Sequence, residues 1–213
     1  MNSILKCSLV SLGVLLGLTS AIISATNHYI LTADFYDRGG AYLAGDLGQE
    51  VAVLDSVQNW VYLSTAAFLI VKLLTVALIL YTALYLNHHQ IRFSVLFQLV
   101  TLSEFVFLIP ALIKVLWFHL AFPGGTLEDW RHLYILSALS LAGTVSPNWY
   151  YPLQTLNVFE VGYWFLLAYG VSRLTSLGFD RSLKVVVSSY LPALLIWVGL
   201  VAFCSLMILP QNI

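Results

Sequence analysis

Apolar residues run along this chain in long unbroken blocks, with polar residues collected in the gaps. The blocks at 60–86, 93–122, 153–172 and 185–209 each supply the roughly 20 mostly apolar residues a helix needs to cross a hydrocarbon core about 30 Å thick. An earlier block at 9–25 is shorter. It reads as a retained first helix, with a signal-peptide core as the competing reading; Lys6 is a weak positive flank and Thr19-Ser20-Ala21 an indifferent cleavage site. The apolar run 133–145 would reach only about 20 Å at 1.5 Å per residue, too short to span. It is expected to lie in, or dip into, one interface as a helix, with Trp149, Tyr150 and Tyr151 as aromatic anchors. Pro147 and Pro152, with Asn148 between them, break the helix before the fourth span, and Pro110 is expected to kink the third.

The pattern predicts an all-α fold: a polytopic membrane helix bundle of about five transmembrane helices plus a short interfacial or re-entrant helix. Two regions follow, 1–59 with the first transmembrane helix and an acidic outer loop, and 60–213 with four further transmembrane helices. Charge placement orients them. Loop 26–59 carries Asp34, Asp37, Asp46, Glu50 and Asp55 against Arg38, whereas 87–92 holds Arg92, and 173–184 holds Arg173, Arg181 and Lys184 against Asp180. Basic and acidic gaps alternate as five crossings require, with the amino terminus inside and the carboxyl terminus outside.

Composition sharpens this picture. The 213 residues are 60% hydrophobic and 9% charged, with a mean hydropathy of +0.89. A soluble domain carries about 25% charged residues, so an ordinary water-soluble fold is excluded. The net charge of -1 excludes a nucleic-acid binder working through bulk positive charge. Abundant aromatic residues exclude disorder. Cys7 and Cys204 fall at opposite ends of the membrane, too far apart for a disulfide, and read as small apolar residues.

Four ionisable residues sit inside the apolar blocks: Lys72, Glu104, Lys114 and Glu160. Such groups cost at least about 2.5–3.5 kcal/mol near the bilayer centre and are usually paired or functional. Counting from the inner span ends places Lys72, Glu104 and Glu160 all about 15–20 Å above the inner interface. The short turn after the second span makes the second and third antiparallel neighbours, so Lys72 and Glu104 can pair directly, with Glu160 approaching from the fourth. Asn157, one turn before Glu160, is expected on its face, with Ser103 and Gln154 as polar company. This intramembrane polar cluster of Lys72, Glu104, Asn157 and Glu160 has two readings. It is a structural ion pair that locks the hairpin, or a polar midplane site for an ion, proton or lipid headgroup. Lys114, near the outer edge, is expected to snorkel to the headgroups.

Other chemistry is sparse. His88 and His89 are adjacent, point about 100° apart on a helix and cannot chelate together, so no metal is expected. No phosphate-binding loop, dinucleotide fingerprint, H-E-x-x-H, G-x-S-x-G or C-x-x-C is present. Gly39-Gly40 and Gly124-Gly125 read as turns. Glu128, Asp129, Arg131 and His132 form the one polar interfacial group an enzyme would need, and a solvated loop explains them. No cofactor is expected, and an enzyme is disfavoured. Gly13 and Gly17 make a G-x-x-x-G that permits close helix approach. Tyr29, Phe35, Tyr36 and Tyr42 in the outer loop dock a partner or cover helix ends.

The run Leu153-Gln-Thr-Leu-Asn-Val-Phe-Glu-Val-Gly-Tyr-Trp-Phe-Leu-Leu-Ala-Tyr-Gly170 precedes a basic turn and a last span, and Tyr81-Thr-Ala-Leu-Tyr-Leu precedes a polar turn and Phe93-Ser-Val-Leu-Phe-Gln-Leu-Val. Over residues 60–208 this resembles the bacterial Yip-domain (Ypt-interacting-protein-like) integral membrane family. The resemblance implies a five-span protein whose eukaryotic relatives act in membrane trafficking and contact Rab-type GTPases. The eukaryotic Asp-Leu-Tyr-Gly-Pro signature is absent here, which argues against GTPase binding. The resulting expectation is a non-enzymatic organising or accessory component of a membrane complex in the bacterial inner membrane, partnered by the lipid bilayer and other integral membrane proteins. The rival is a small transporter or permease-like subunit using the midplane Lys/Glu site, against which the lack of an internal repeat counts.

Overall fold

Backbone in hydrocarbon has to satisfy its own hydrogen bonds, and a helix does so within one segment. A computed structural model describes residues 2–32, 35, 47–122, 124–142, 145–146 and 149–208. Its elements are α1 (Asn2–Tyr29), α2 (Leu47–Leu86), α3 (Phe93–Glu104), a 3-10 turn (Phe105–Phe107), α4 (Leu108–Ala121), α5 (Leu127–His132), α6 (Ala138–Leu141), α7 (Tyr150–Thr155), α8 (Val158–Leu174) and α9 (Phe179–Ile208). Among the described residues four stretches are long and apolar enough to cross a membrane: Lys6–Tyr29, Asn59–Leu86, Phe93–Ala121 and Phe179–Cys204. The bundle also leaves many large apolar side chains exposed, among them Leu63, Leu78, Leu120 and Phe203, as a protein solvated by lipid does.

Three expectations are corrected. The block 153–172 is not one helix. Pro152 belongs to the short α7, Leu156 is extended, and α8 starts at Val158 on an Asn157 cap. Its 17 residues reach about 25 Å, less than the hydrocarbon thickness. The run 133–145 is not a single interfacial helix either. Leu136 adopts a φ of 51°, and Ser137 bridges Asn157 through Ala138 N–H to Leu156 O (2.8 Å) and Val158 N–H to Leu136 O (3.1 Å), leaving only the four-residue α6. The serine hydroxyls and this backbone bridge compete with helix continuation. Finally, the outer loop ends early. α2 is 40 residues long and starts at Leu47, so the boundary expected at 59/60 falls inside one helix. Val51, Leu54 and Val57 recur at helical spacing, a pattern masked by the surrounding acids. Asp34, Tyr36, Asp37, Arg38, Gly39, Gly40, Tyr42, Asp46, Pro147, Asn148 and the carboxyl-terminal 209–213 lie outside the described residues, as do the side chains of Glu50, Asp55, Glu128 and Arg131.

The core joins five helices. Leu15 of α1, Leu73, Ala77, Leu80 and Leu84 of α2, Leu96 and Val100 of α3, Tyr163, Leu167 and Val171 of α8, and Val186 and Tyr190 of α9 are buried together. α1 packs on α3 and α4, α2 on α3 and α9, and α8 on α3 and α9. The α8–α3 approach depends on Gly170, where any Cβ would overlap Leu99.

The hairpin between α2 and α3 turns on a helix stop. His88 has a φ of 61°, His88 N–H bonds Tyr85 O (3.0 Å) and His89 N–H bonds Leu84 O (2.9 Å). This is a Schellman cap with histidine where glycine is usual. The two histidines therefore end a helix, in accord with their reading as a turn. Among the described residues no three His, Cys, Asp or Glu groups are placed to hold a metal ion.

A second, smaller cluster covers one end of the bundle. Phe35, expected to dock a partner or cover helix ends, does the latter: it is buried against Phe118 of α4, with Trp130 of α5 on the ring's other neighbour side at 5.1 Å from Phe118. Lys114, expected to snorkel, places its ammonium 4.4 Å from the Trp130 ring centroid and 5.3 Å from that of Tyr134. Tyr151 accepts a hydrogen bond from Trp197 Nε1 (2.9 Å), tying α7 to α9.

Candidate functional site

Lys72 occupies α2 next to the fully buried Leu73, and its Nζ donates to Glu104 Oε1 at 2.5 Å. Glu104 is the last residue of α3 and is only 4% exposed, whereas the Lys72 side chain is 27% exposed. The pairing expected from depth counting is present.

The sequence places a third partner through Pro110. Proline has no N–H for the carbonyl four residues back, here Val106, and its ring crowds that carbonyl. The chain tightens into the 3-10 turn Phe105–Phe107 at this point, one turn earlier than the proline itself. The turn brings the Phe107 ring under Lys72, with Nζ 4.1 Å from its centroid. Lys72 is thus held by a carboxylate on one side and an aromatic face on the other.

Glu160 does not bond Lys72. Its Oε1 accepts from Tyr190 Oη of α9 (2.8 Å) and from Trp164 Nε1 one turn along α8 (3.1 Å). Asn157 is not a member of the cluster. It caps α8, its Oδ1 accepting the Glu160 N–H at 2.8 Å while its Nδ2 donates to the carbonyls of Gln154 and Thr155. The reason is that α8 begins at Val158, so Asn157 precedes the helix and has no helical face. Ser103 is likewise spent locally, its hydroxyl donating to Leu99 O (3.0 Å).

Tyr163 joins the two halves. It is fully buried, its ring lies 5.2 Å from Phe107 and 5.7 Å from Tyr190, and Lys72 Nζ is 5.6 Å from its centroid. The centre therefore reads Glu104–Lys72–Phe107, then Tyr163, then Tyr190–Glu160–Trp164. It draws on α2, the α3 end with its 3-10 turn, α8 and α9. Sequence reasoning missed Phe107, Tyr163, Trp164 and Tyr190. Tyr163 and Trp164 stand three and four residues after Glu160, a spacing that marks them as its helical neighbours; nothing local marks Tyr190.

Two members face each other. Glu104 Oε2 and Tyr163 Oη are both buried without another hydrogen-bond partner among the described residues, and the Tyr163 phenol is the hydrogen-bonding neighbour of the Glu104 carboxylate.

The interfacial polar group has a structural role. The Asp129 carboxylate accepts from Thr126 N–H (2.8 Å) and Thr126 Oγ1 (2.7 Å), completing a capping box for α5. These hydrogen bonds, the backbone one foremost, hold the Asp129 carboxyl below its ordinary value. Beyond the cap, partial burial pushes the Tyr134 phenol up.

Comparisons with protein-family models, with curated proteins and with solved structures each returned no match.

Proposed function

We propose that this chain is a non-enzymatic integral membrane component that assembles with other membrane proteins, its Lys72–Glu104 pair acting as the lock that holds its own helices. In this reading α8, preceded by the short α7, makes a fifth crossing. The amino terminus is inside, the carboxyl terminus is outside, and the bilayer is the bacterial inner membrane. The resemblance of residues 60–208 to the Yip-domain family belongs to the same proposal.

One observation carries it. On α1 a Cβ added at Gly13 or Gly17 would meet nothing within 4 Å among the described residues, so the G-x-x-x-G faces away from the described bundle. Val10 and Val14 beside it are 65% and 49% exposed. Small residues on a membrane helix let a second backbone approach closely. Here that surface is left free by the protein's own packing, and the occupant it fits is a transmembrane helix of another integral protein.

The test is affinity purification in mild detergent with mass spectrometry, on the native chain and on a Gly13→Leu/Gly17→Leu variant. The native chain is expected to bring down a stoichiometric membrane companion that the variant loses while eluting at normal size. Purification of the native chain alone overturns the reading, as does full retention by the variant. Capture of only a second copy makes the same face a homotypic contact and overturns the accessory role.

The transporter reading draws on a different observation, the Glu104 carboxylate buried at 4% exposure inside the bundle. A Lys72→Glu/Glu104→Lys exchange discriminates. It restores activity if the pair is a lock, and leaves activity lost if the carboxylate position itself is used.

A further inference from the structure

The basic residues of this chain gather at one end of the bundle. The turn before α3 holds Arg92, α8 finishes with Arg173, and α9 opens with Arg181 and Lys184. Lys6 of α1 belongs to the same end, because the adjoining Cys7 Sγ accepts from Gln98 Nε2 of α3 (3.0 Å). All five are exposed, and none makes an ion pair among the described residues. Asp180 is the one acid among the described residues at that end.

A groove of about 370 Å³ between α3 and α8 leads to this end. Gly170 receives Leu99 and Gly162 lies by Val106, so the two helices run antiparallel. Val95 and Leu174 line the basic end of the groove, and Ser103 and Leu166 line its deep end, about 12 Å of helix further in. Leu102, Leu166 and Tyr169 are exposed, so the groove opens sideways to lipid.

The groove is apolar along its length and carries donors at one end. Tyr169 and Arg173 line it together, one turn apart on α8. Neither the phenol nor the guanidinium has a hydrogen-bond partner among the described residues. A guanidinium presents a planar fork that fits two phosphate oxygens, and the phenol adds a further donor. A free inorganic anion would leave the apolar trough empty, so the shape calls for an anionic head with a hydrocarbon tail. Charge settles the head: five bases against one acid favour a net negative headgroup, whereas a zwitterionic one brings a cation beside Arg173.

We propose that the α3–α8 groove binds one anionic phospholipid from the leaflet at the basic end. Its phosphate rests on Arg173 and Tyr169, and one acyl chain lies along Leu99, Leu102 and Leu166. Among the described residues the lining comes from α3 and α8, without Gly13, Gly17, Lys72 or Glu104, so the proposal rests on neither reading above.

The experiment titrates the full chain in dodecyl maltoside with dioleoylphosphatidylglycerol and counts bound lipid by native mass spectrometry. One lipid should be retained at a concentration at least about fivefold lower than dioleoylphosphatidylcholine requires. Arg173→Gln should weaken retention by at least about fivefold, as expected when a charged hydrogen-bond partner is removed. Its side chain is exposed and unpaired, so this variant keeps its packing. Leu102→Trp, which covers the groove from α3, should weaken retention similarly at an unchanged elution volume. Arg181→Gln makes the same charge change outside the groove and should stay within about twofold of the native chain. Soluble glycerol phosphate should not displace the lipid. Equal retention of the two lipids overturns the proposal, as does native retention by Arg173→Gln. An equal loss in Arg181→Gln overturns it in favour of diffuse surface charge, and displacement by glycerol phosphate in favour of a free-phosphate site.

Discussion

Removing Lys72 should damage this protein more than removing its partner, and the geometry says why. Lys72→Met leaves Glu104, 4% exposed, without the ammonium that balances its charge. Breaking a buried pair from one side costs about 3–5 kcal/mol, chiefly because the remaining charge is stranded. Glu104→Gln strands less. The amide oxygen still accepts from Lys72, the Phe107 ring remains 4.1 Å beneath the ammonium, and the Lys72 side chain is 27% exposed. Its loss should be about 1–2 kcal/mol, a charge-assisted hydrogen bond reduced to a neutral-acceptor one.

The double variant Lys72→Met/Glu104→Gln removes both charges together and should be no less stable than Lys72→Met alone. Measured as a cycle, the two positions are expected to couple by at least about 1 kcal/mol, outside the additivity of independent sites. Reversible unfolding in mixed micelles, followed by tryptophan fluorescence against rising SDS fraction, gives all three values. Additive single effects would refute the pairing as an energetic lock. So would a Lys72→Met loss below about 1 kcal/mol, because a stranded buried carboxylate cannot be that cheap.

Three further outcomes are expected. Gly170→Ala should destabilise by about 1–3 kcal/mol through overlap with Leu99, and adding Leu99→Ala should recover part of the loss in the same micelle titration. His88→Gly should stabilise by about 1 kcal/mol, because the φ of 61° is strained for histidine and open to glycine; a lowered unfolding midpoint would contradict the Schellman assignment. Asp129 has a folded value below its unfolded one, so its cap helps at pH above the ordinary carboxylate range and is lost as pH falls through the lowered value. Amide exchange across α5, corrected for intrinsic rate, should therefore quicken on acidification in the native chain, and Asp129→Asn should flatten that dependence.

The parts of this fold legible in the sequence are those fixed by length and depth. An ammonium in one apolar block and a carboxylate in the next meet because both lie a similar number of residues from a shared turn, and a helix converts residue number into height. Glu160 obeys the same count and sits at that level, yet finds Tyr190 and Trp164 rather than Lys72. Height says nothing of rotation about the axis, and rotation is decided by packing. Asn157 misled for another reason. Hydropathy carries the fourth block back to Leu153, but Pro152 and the backbone bridge at Ser137 hold the preceding chain off the helix axis, and Asn157 becomes a cap. The disturbance expected at Pro110 shows as the 3-10 turn Phe105–Phe107, since a proline's missing hydrogen bond is felt a turn earlier.

The same distinction separates the two faces of α1. Gly13 and Gly17 are visible as a motif in a line of text, while Leu15, Thr19 and Ile22 are unremarkable until α2 and α4 are set beside them. A residue two positions on points about 200° away around a helix, so the glycine face and the face that Leu15 turns to the bundle core are back to back. Leu15 is 1% exposed while its neighbours Val14 and Leu18 are 49% and 44% exposed, so one face is sealed by the bundle and the other is bare. α1 is fastened mainly to α3 and α4 and only lightly to α2. A partner gripping its bare face therefore acts on a helix whose position is set by α3 and α4 rather than by α2.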